Sequence, residues 1–360
     1  MLYLDRNHDP SWWSLKLDDK ELNFSKWNFS NGQKIWERVP DWEMAVKILV
    51  WLPIAIVGLI GNSAIIIVMI RIKAIRTCTN YFFLNMAIAD LITILISSWT
   101  ILVIDFYQNY ALGQFFCRAE GAIQITCLLS SVFSLVAISC DRLLAVTFPL
   151  IPRLNKKKAL ILIILIWLIS LIISSPTIFN RSWHARQWAD YLEIYCAEDR
   201  RMKYYWFTIL VLLCYLPLTV MTAAYSVIIV LLEKYEHRLS LEQQPLKKKY
   251  RRKVLKMLFV YLINFMWCWV LFQVVVLYRY FKTGNNELPE WYKHVYFCAH
   301  LLSYGHSAIN PIVYQASNEN FRKAARLTFP CLFRTNRIVP NVNQMQVAAN
   351  CNGAQNDKVK

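Results

Sequence analysis

The sequence lacks the residue patterns on which enzyme and metal chemistry usually depend. Its ten cysteines form no Cys-x-x-Cys pair and no Cys/His ligand spacing, so no metal site is expected. It has no nucleophile–base–acid set and no phosphate-binding loop, which argues against an enzyme. No internal repeat is evident, which argues against a transporter or channel, the alternative from another functional class.

The first 44 residues lack an apolar segment followed by a small-residue cleavage site. We therefore expect no cleavable signal peptide and expect the first membrane-spanning helix to direct insertion. Two N-glycosylation sequons lie in this polar segment, at Asn23 and Asn28, and a third lies at Asn180 in a later loop expected on the same side. We interpret residues 1–44 as an extracellular, glycosylated N-terminal tail.

Apolar residues are abundant and unevenly distributed. They make up 57% of the 360 residues, against about 45–50% in a soluble domain. The excess falls in seven blocks of membrane-spanning length, near residues 45–70, 81–105, 117–141, 158–179, 204–232, 254–280 and 292–314. The blocks lack the alternation typical of barrel strands. The sequence thus predicts an all-α membrane protein, a seven-transmembrane helix bundle over residues 45–314.

Acidic residues are scarce in alternate gaps between these blocks. The net charge is +17, and basic residues such as Arg71, Arg153, Lys248 and Arg322 concentrate in the first, third and fifth gaps and after the seventh block. By the positive-inside rule, this distribution predicts a plasma-membrane protein with its N-terminus outside and its C-terminus inside. Topology therefore explains the charge, and nucleic acid is not expected as a partner.

A short amphipathic segment follows the seventh block. Apolar residues such as Phe321 and Ala324 recur there at helical spacing and could face lipid, while basic residues face the headgroups. We expect an amphipathic eighth helix within residues 315–333. Cys331 is a candidate palmitoylation site that would anchor it, although an unmodified cysteine is equally compatible with the sequence. Residues 334–360 are polar and Asn-rich, typical of a disordered cytoplasmic tail.

Four polar residues inside the apolar blocks need an explanation: Asn62, Asp90, Ser131 and Asn310. A carboxylate such as Asp90, roughly ten residues into a span, must be protonated, paired or bound to a cation. Each of the other three, taken alone, is explained by a hydrogen bond between helices.

Cys117 and Cys196 are the two cysteines expected on the outer side, next to loops. Because the outer side is oxidising, they are the natural disulfide pair. The bridge would hold the second outer loop over the outer end of the third helix.

Each apolar block carries a landmark. In chain order these are Gly61-Asn62, Asn85-Met86-Ala87-Ile88-Ala89-Asp90, Cys117 with Asp141-Arg142-Leu143, Trp167, Pro217 with Tyr225, Phe265 with Cys268-Trp269, and Asn310-Pro311-Ile312-Val313-Tyr314. The ordered set, which covers about residues 45–330, resembles the rhodopsin-like (class A) G-protein-coupled receptors. Within that family, the spans are most similar to the group of neuropeptide Y, neuropeptide FF, orexin, tachykinin and cholecystokinin receptors.

The resemblance implies roles for the matching residues. Asp90, Ser131 and Asn310 match the family's sodium pocket, so a sodium ion near Asp90 is the one cofactor implied. The residues matching the family's activation and G-protein-coupling positions are Asp141, Arg142, Tyr225, Phe265, Trp269, Pro311 and Tyr314. The partners implied are a heterotrimeric G protein, arrestin, a receptor kinase and membrane lipids.

Four residues depart from the family pattern. Leu143 replaces the usual Tyr, and His306 replaces the usual Asn of the sodium pocket. Leu271 replaces a proline, and because the sixth block contains no proline we expect a straighter sixth helix. Arg251 stands where many relatives have an acid that holds the Asp-Arg arginine, so raised basal activity is our hypothesis.

The expected ligand position carries Gln124, where amine receptors have Asp, so an amine is not expected. Residues at matching depth suggest an aromatic, hydrogen-bonding pocket with one cation at its rim. The set is Gln124, Thr100, Trp206, Phe272, Gln273, Arg279, Tyr296, His300 and Tyr304. Such a pocket suits an amidated peptide end or a small acid. We predict a receptor that binds an extracellular neuropeptide and activates a heterotrimeric G protein; a small-molecule or lipid receptor of the same fold is the alternative.

Overall fold

Helices form nearly all of the regular structure in the computed structural model, which describes residues 39–107, 109–148, 154–199, 202–238, 245–282, 289 and 291–330. Seven long helices, numbered here first to seventh in chain order, pack side by side as a bundle. Within the described ranges, the strands form one two-stranded sheet. The all-α, seven-helix architecture predicted from the sequence is confirmed.

The first two helices are joined by a short turn. Their segments are Asp41–Arg71, the 3-10 turn Lys73–Ile75, Cys78–Ile92, the π turn Thr93–Ser97 and Thr100–Tyr107. The second helix begins after Thr77, whose side chain accepts a hydrogen bond from the Asn80 N–H and so satisfies one free donor of the first turn. The π turn makes the second helix irregular beyond Asp90.

The third and fourth helices begin at different local sequence features. Their segments are Gly113–Thr147, Lys156–Ser174 and the short continuation Pro176–Phe179. Gly113 has φ +78°, a left-handed conformation that favours glycine, so it redirects the chain as the third helix starts. Asn155 caps the fourth helix by accepting a hydrogen bond from the Lys158 N–H at 2.8 Å.

The fifth, sixth and seventh helices complete the bundle. Their segments are Met202–Leu210, the π turn Val211–Tyr215, Leu216–Arg238, Pro245–Lys282 and Trp291–Ser317. The sixth is a single unbroken α-helix through Leu271, where relatives carry proline. The seventh contains Pro311 within its length.

Five helical stretches are long and apolar enough to cross a membrane: Asp41–Arg71, Cys78–Tyr107, Gly113–Ala145, Lys156–Phe179 and Phe259–Arg279. The fifth helix contributes a shorter apolar stretch, Leu216–Leu231, after its π turn. The seventh is less apolar because its buried face carries histidines, tyrosines, serines and an asparagine. Its polar groups therefore point into the bundle, where polar residues of membrane helices usually lie.

The third helix lies at the centre and packs against the second, fourth and fifth. Asn85 of the second helix joins three helices: its Nδ2 donates to the hydroxyls of Ser130 and Ser134, both at 2.9 Å. Its Oδ1 accepts from the indole N–H of Trp167 at 2.7 Å. Because lipid offers no hydrogen bonds, such a junction fixes the helices relative to one another.

The first and seventh helices approach closely at Gly61. A Cβ at this position would lie 2.6 Å from Cγ and 2.8 Å from Cβ of Pro311. The neighbouring Asn62 donates from its Nδ2 to the Ser307 carbonyl at 2.9 Å. The small side chain of Gly61 thus permits the contact that Asn62 then fixes.

A hairpin covers one end of the bundle, called the hairpin end below. Its strands β1 (Arg181–Gln187) and β2 (Leu192–Glu198) are antiparallel. The disulfide Cys117–Cys196 ties β2 to the third helix, as the sequence predicted. Additional bonds link β2 to the segment before the third helix, since the Tyr110 N–H donates to the Ile194 carbonyl at 2.9 Å. Strand β2 is therefore fixed to the start of the third helix at two points.

An ion cluster joins the first, second and seventh helices at the hairpin end. Lys47 Nζ lies 2.5 Å from Asp105 Oδ2 and 2.6 Å from Glu43 Oε1. His294 Nδ1 lies 3.4 Å from the same Glu43 oxygen. The ammonium also lies 5.0 Å from the centre of the Phe297 ring. Lys47 and Asp105 are buried, so the ammonium and the Asp105 carboxylate are paired away from water.

The amphipathic eighth helix spans Glu319–Thr328 and packs on the bundle. Asn318 caps it by accepting from the Phe321 N–H at 3.0 Å. Contrary to the expectation that its apolar face meets lipid, Phe321 and Ala324 are fully buried. The Phe321 ring centre lies 4.7 Å from that of Tyr314, because the helix folds back beneath the first and seventh helices.

Candidate functional site

A cavity of about 760 Å³, including the part open to solvent, lies between the helices at the hairpin end. Seven of the nine predicted ligand residues line it: Thr100, Gln124, Trp206, Phe272, Tyr296, His300 and Tyr304. The other two, Gln273 and Arg279, are not among its lining residues. Arg279, the cation predicted at the rim, is thus not one of the side chains that form the cavity wall.

One wall of the cavity is aromatic and comes from the sixth and seventh helices. The Phe272 ring meets the His300 ring edge to face, with 5.0 Å between centres. His300 in turn lies 4.6 Å from Tyr296. Trp269 closes the bottom, 5.5 Å from Phe272. These contacts hold the rings rigidly, so the wall is largely preformed.

Several buried polar atoms in this cavity have no hydrogen-bond partner among the described residues. They are the hydroxyl of Tyr296, both ring nitrogens of His300 and the indole N–H of Trp269. Gln124, by contrast, donates to the Tyr304 hydroxyl at 3.3 Å. Because buried polar groups are normally paired, the free atoms indicate a place for polar groups of a ligand or for water.

A second wall of the cavity is charged, and its residues were not predicted from the sequence. Arg181 of β1 reaches down so that its Nη1 lies 3.4 Å from Glu120 Oε2 of the third helix. Its Nε lies 3.5 Å from Glu198 Oε1, which also accepts from the Trp206 indole N–H at 3.0 Å. Burial alone would lower the pKa of Arg181, but Glu198 and Glu120 outweigh it and raise that pKa above its ordinary value.

The sequence held one signal for this wall. Glu120 lies four residues before Gln124, one helical turn nearer the hairpin, and therefore on the same helix face. No local pattern could have shown Arg181, because the hairpin and the disulfide bring it to the third helix. A Cβ on Gly121 would lie 2.5 Å from Arg181 Nη1, so this glycine makes room for the guanidinium.

A second cavity, of about 310 Å³, shares Gln124, Leu128, Trp269 and Tyr304 with the first. It contains Asp90, whose two oxygens accept hydrogen bonds from the Ser307 hydroxyl and the Asn310 Nδ2, both at 2.8 Å. These described partners are neutral donors, so of the three alternatives expected from the sequence, protonation and a bound cation fit this site and a charged partner does not.

The oxygen atoms here suit a small monovalent cation. Ser131 Oγ lines the cavity with Asp90, and among the described residues neither this hydroxyl nor Asn310 Oδ1 has a hydrogen-bond partner. His306, which replaces the family's Asn, also lines the cavity, and its Nε2 is likewise without a partner in the described part of the chain. The predicted trio is therefore brought together, with the His306 ring beside it.

The end opposite the hairpin holds the predicted coupling residues. Arg142 Nη2 lies 3.0 Å from Asp141 Oδ2 and also donates to the Thr79 hydroxyl of the second helix. Tyr225 and Ser139 share a hydrogen bond of 2.9 Å between their hydroxyls. The side chain of Arg251 lies outside the described part of the chain.

The remaining switch positions lie between the two ends. Phe265 stacks on Trp269 with 6.1 Å between ring centres and meets His306 at 5.5 Å. Tyr314 packs against Phe83 of the second helix at 4.7 Å. A chain of ring contacts thus leads from beneath the first cavity toward the middle of the bundle.

Some predicted modification sites cannot be placed. Asn23, Asn28, Cys331 and residues 334–360 lie outside the described residues. Asn180 is described; it is half-buried at the end of the fourth helix, and its Nδ2 donates to the Pro176 carbonyl at 2.8 Å.

Comparison with known proteins agrees with this geometry. Residues 61–314 match the 7 transmembrane receptor (rhodopsin family). The chain belongs to this family. The match covers most of the bundle, including the Asp90 cavity and the Asp141–Arg142 pair, and confirms the resemblance drawn from the landmarks.

Individual relatives are receptors of similar length. The Substance-K receptor of Mus musculus is 29% identical over 306 residues, covering 81% of this chain and 77% of that protein. The Substance-K receptor of Homo sapiens is 28% identical over 325 residues, covering 86% and 79%. The Neuropeptide FF receptor 2 of Mus musculus is 30% identical over 305 residues, covering 79% and 72%.

Proposed function

We propose that this receptor binds an extracellular neuropeptide in the cavity at the hairpin end and activates a heterotrimeric G protein from the opposite end. The observation that carries the proposal is the cavity itself. It is a concave space between the helices, and aromatic rings and unpaired polar atoms line it, as is usual for ligand sites. A peptide end offers both ring packing and backbone hydrogen bonds. Relatives named for substance K and neuropeptide FF support this ligand class.

The hairpin end faces the outside in this proposal. The sequon at Asn180 and the Cys117–Cys196 disulfide lie there, and disulfides persist on the oxidising side of a membrane. Basic residues such as Arg71 and Arg322 lie at the other end, as the positive-inside rule requires of a cytoplasmic face. On this basis the N-terminal tail is extracellular, and the C-terminal tail is cytoplasmic and accessible to a receptor kinase and arrestin.

Asp90, Ser131 and Asn310 would hold a sodium ion, which would supply a positive charge to the buried carboxylate. The three residues would also affect the ligand cavity by fixing the positions of the helices that form it. Asp90 links the second and seventh helices through Ser307 and Asn310. The cavity that Asp90 lines shares Trp269 with the ligand cavity, so a ligand that contacts Trp269 lies next to the Asp90 cavity.

The test is a library of amidated neuropeptides applied to cells that express the full chain, with calcium and cyclic-AMP readouts. We expect a small set of related peptides to give a response that mock cells lack. Arg142→Ala should retain surface expression and peptide binding but lose the response, because Arg142 is the proposed G-protein contact. A response only to lipids or small molecules, with none to peptides, would contradict the ligand class.

A further inference from the structure

The charges on the cavity wall do not balance. Glu120 and Arg181 are the charged lining residues among those described, and Glu198 stands behind Arg181. One guanidinium is therefore shared by two carboxylates, which leaves a net charge of −1 at this wall. Their side chains are 10–21% exposed, so water compensates for this charge only partly.

Of the two acids, Glu120 is the one that a ligand can reach. Glu198 does not line the cavity and already accepts a hydrogen bond from Trp206 at 3.0 Å. Glu120 lines the cavity, and its Oε2 accepts a hydrogen bond from Arg181 Nη1 at 3.4 Å. That separation is long for a guanidinium–carboxylate contact, which is about 2.7–2.9 Å when the pair is well formed. The Glu120 carboxylate thus keeps capacity for another donor.

Arg181 is poorly placed to act as an anion site. Its guanidinium is held between the two acids and packs over the backbone at Gly121. A ligand carboxylate at this wall would have to displace one of those acids and would raise the negative charge further. A ligand cation would instead balance the charge.

Unpaired polar atoms elsewhere in the lining also indicate that this cavity binds a ligand. Both ring nitrogens of His300 and the Tyr296 hydroxyl are buried and unpaired among the described residues, and both side chains line the cavity. They are neutral partners for neutral polar groups. The cavity therefore offers one anionic contact, at Glu120, and separate neutral contacts on the seventh helix.

We propose that Glu120 binds a positively charged group of the ligand, so that the receptor selects peptides carrying a guanidinium or ammonium group at the end that enters the cavity. This inference rests on the proposed function, because it names a feature of the ligand for the same site. Of the two ligand types that the sequence suggested, an amidated peptide end or a small acid, it favours the peptide end.

The test uses the full-length receptor in cells and an amidated peptide library made in matched sets. The sets are identical except that each arginine or lysine is kept, replaced by a neutral isostere such as citrulline for arginine, or replaced by glutamate. We expect active peptides to lose about 30-fold or more in potency when the cation is neutralised, since breaking a buried charge pair has an effect of this size. Equal potency of neutral peptides, or higher potency of acidic ones, would overturn the inference and leave the proposed function standing.

Receptor variants test whether the loss of potency depends on the Glu120 carboxylate. Glu120→Gln should weaken the cationic peptide by the same factor but leave the neutral peptide unchanged. Glu319→Gln, at an exposed position on the eighth helix, is the matched control and should change neither. Surface expression is measured for each variant, and Glu120→Asp provides a conservative variant if Glu120→Gln folds poorly. Equal losses for both peptides in Glu120→Gln would mean that Glu120 is only structural.

A second measurement decides the inference if no peptide is active in any set, a result that would count against the proposed function. Thermal unfolding of the purified receptor is measured in the presence of argininamide or of citrullinamide, each at the same millimolar concentration. Argininamide should raise Tm of the wild type more than citrullinamide does, and this difference should vanish in Glu120→Gln. Equal shifts with the two probes would refute a cation site at Glu120.

Discussion

The ion cluster at the hairpin end allows a quantitative prediction. Lys47→Met keeps most of the side-chain volume but removes the cation that lies 2.5 Å from Asp105 and 2.6 Å from Glu43. The two acids are 1% and 15% exposed, so they would be left facing each other with little water. Removing one partner of a buried ion pair costs about 3–5 kcal/mol.

The assay is thermal unfolding of the purified receptor in detergent. With an unfolding entropy of about 2.1 cal/mol/K per residue, a loss of this magnitude lowers Tm of the 360-residue chain by roughly 4–7 °C. Lys323→Met is the matched control, because Lys323 pairs with Glu319 at 3.6 Å with both side chains more than half exposed. An exposed pair of this kind contributes about 0–1 kcal/mol, so this control should melt close to the wild type.

A combined variant separates charge from packing. Adding Asp105→Asn and Glu43→Gln to Lys47→Met removes the two carboxylate charges that Lys47 contacts and should recover most of the lost Tm. If Lys47→Met melts as close to the wild type as Lys323→Met does, the cluster does not stabilise the three helices as described. If the combined variant melts no higher than Lys47→Met, the loss comes from the lysine stem and not from its charge.

Three further substitutions test contacts elsewhere in the bundle. Gly61→Ala places a Cβ 2.6 Å from a proline ring of the seventh helix and should cost about 1–3 kcal/mol in thermal unfolding, whereas Gly305→Ala, whose Cβ meets nothing within 4 Å, should be neutral or slightly stabilising. Asn85→Ala removes three hydrogen bonds between helices and should lower Tm by several degrees; an unchanged Tm would mean that the junction is not stabilising. Thr79→Val removes the hydroxyl that holds Arg142, while Thr79→Ser keeps it. Since a hydrogen bond to a charged group is worth about 1.5–3 kcal/mol, Thr79→Val should raise ligand-free signalling several-fold over Thr79→Ser, and equal signalling would contradict this.

The sequence predicted the features that follow from solvation and from order along the chain. Seven long apolar blocks require seven membrane helices, because only helices or closed barrels satisfy their backbone groups in lipid. Asp90 had to find polar partners for the same reason, and in the structure it finds Ser307 and Asn310. The disulfide between Cys117 and Cys196 followed from the side of the membrane on which each cysteine was expected.

Features that depend on distant segments meeting could not be predicted in this way. Arg181 reaches Glu120 because a hairpin crosses the bundle, and Lys47 meets Asp105 across 58 residues of sequence. The eighth helix shows the same limit. Its amphipathic pattern predicts that one face is apolar but does not distinguish lipid from protein as the partner, and Phe321 packs on Tyr314.

The position of Arg142 sharpens the hypothesis of basal activity. The sequence gives Arg251 in place of an acidic partner on the sixth helix, and the partners that the structure shows for Arg142 are Asp141 on its own helix and Thr79 on the second. These bonds hold the arginine but do not restrain the sixth helix. In the described part of the chain, that helix is held against the seventh: the Tyr261 hydroxyl donates to the Asn310 carbonyl at 3.1 Å, and Phe265 meets His306.

The ligand cavity is built on the same pair of helices, since Phe272 of the sixth contacts His300 of the seventh. A ligand that parts these rings acts directly on the interface that restrains the sixth helix. We therefore expect release of that helix and release of Arg142 to be separate events, because their restraints lie on different helices. It follows that substitutions at Thr79 and at the Phe265–His306 contact should affect basal signalling independently, with additive effects on its free energy.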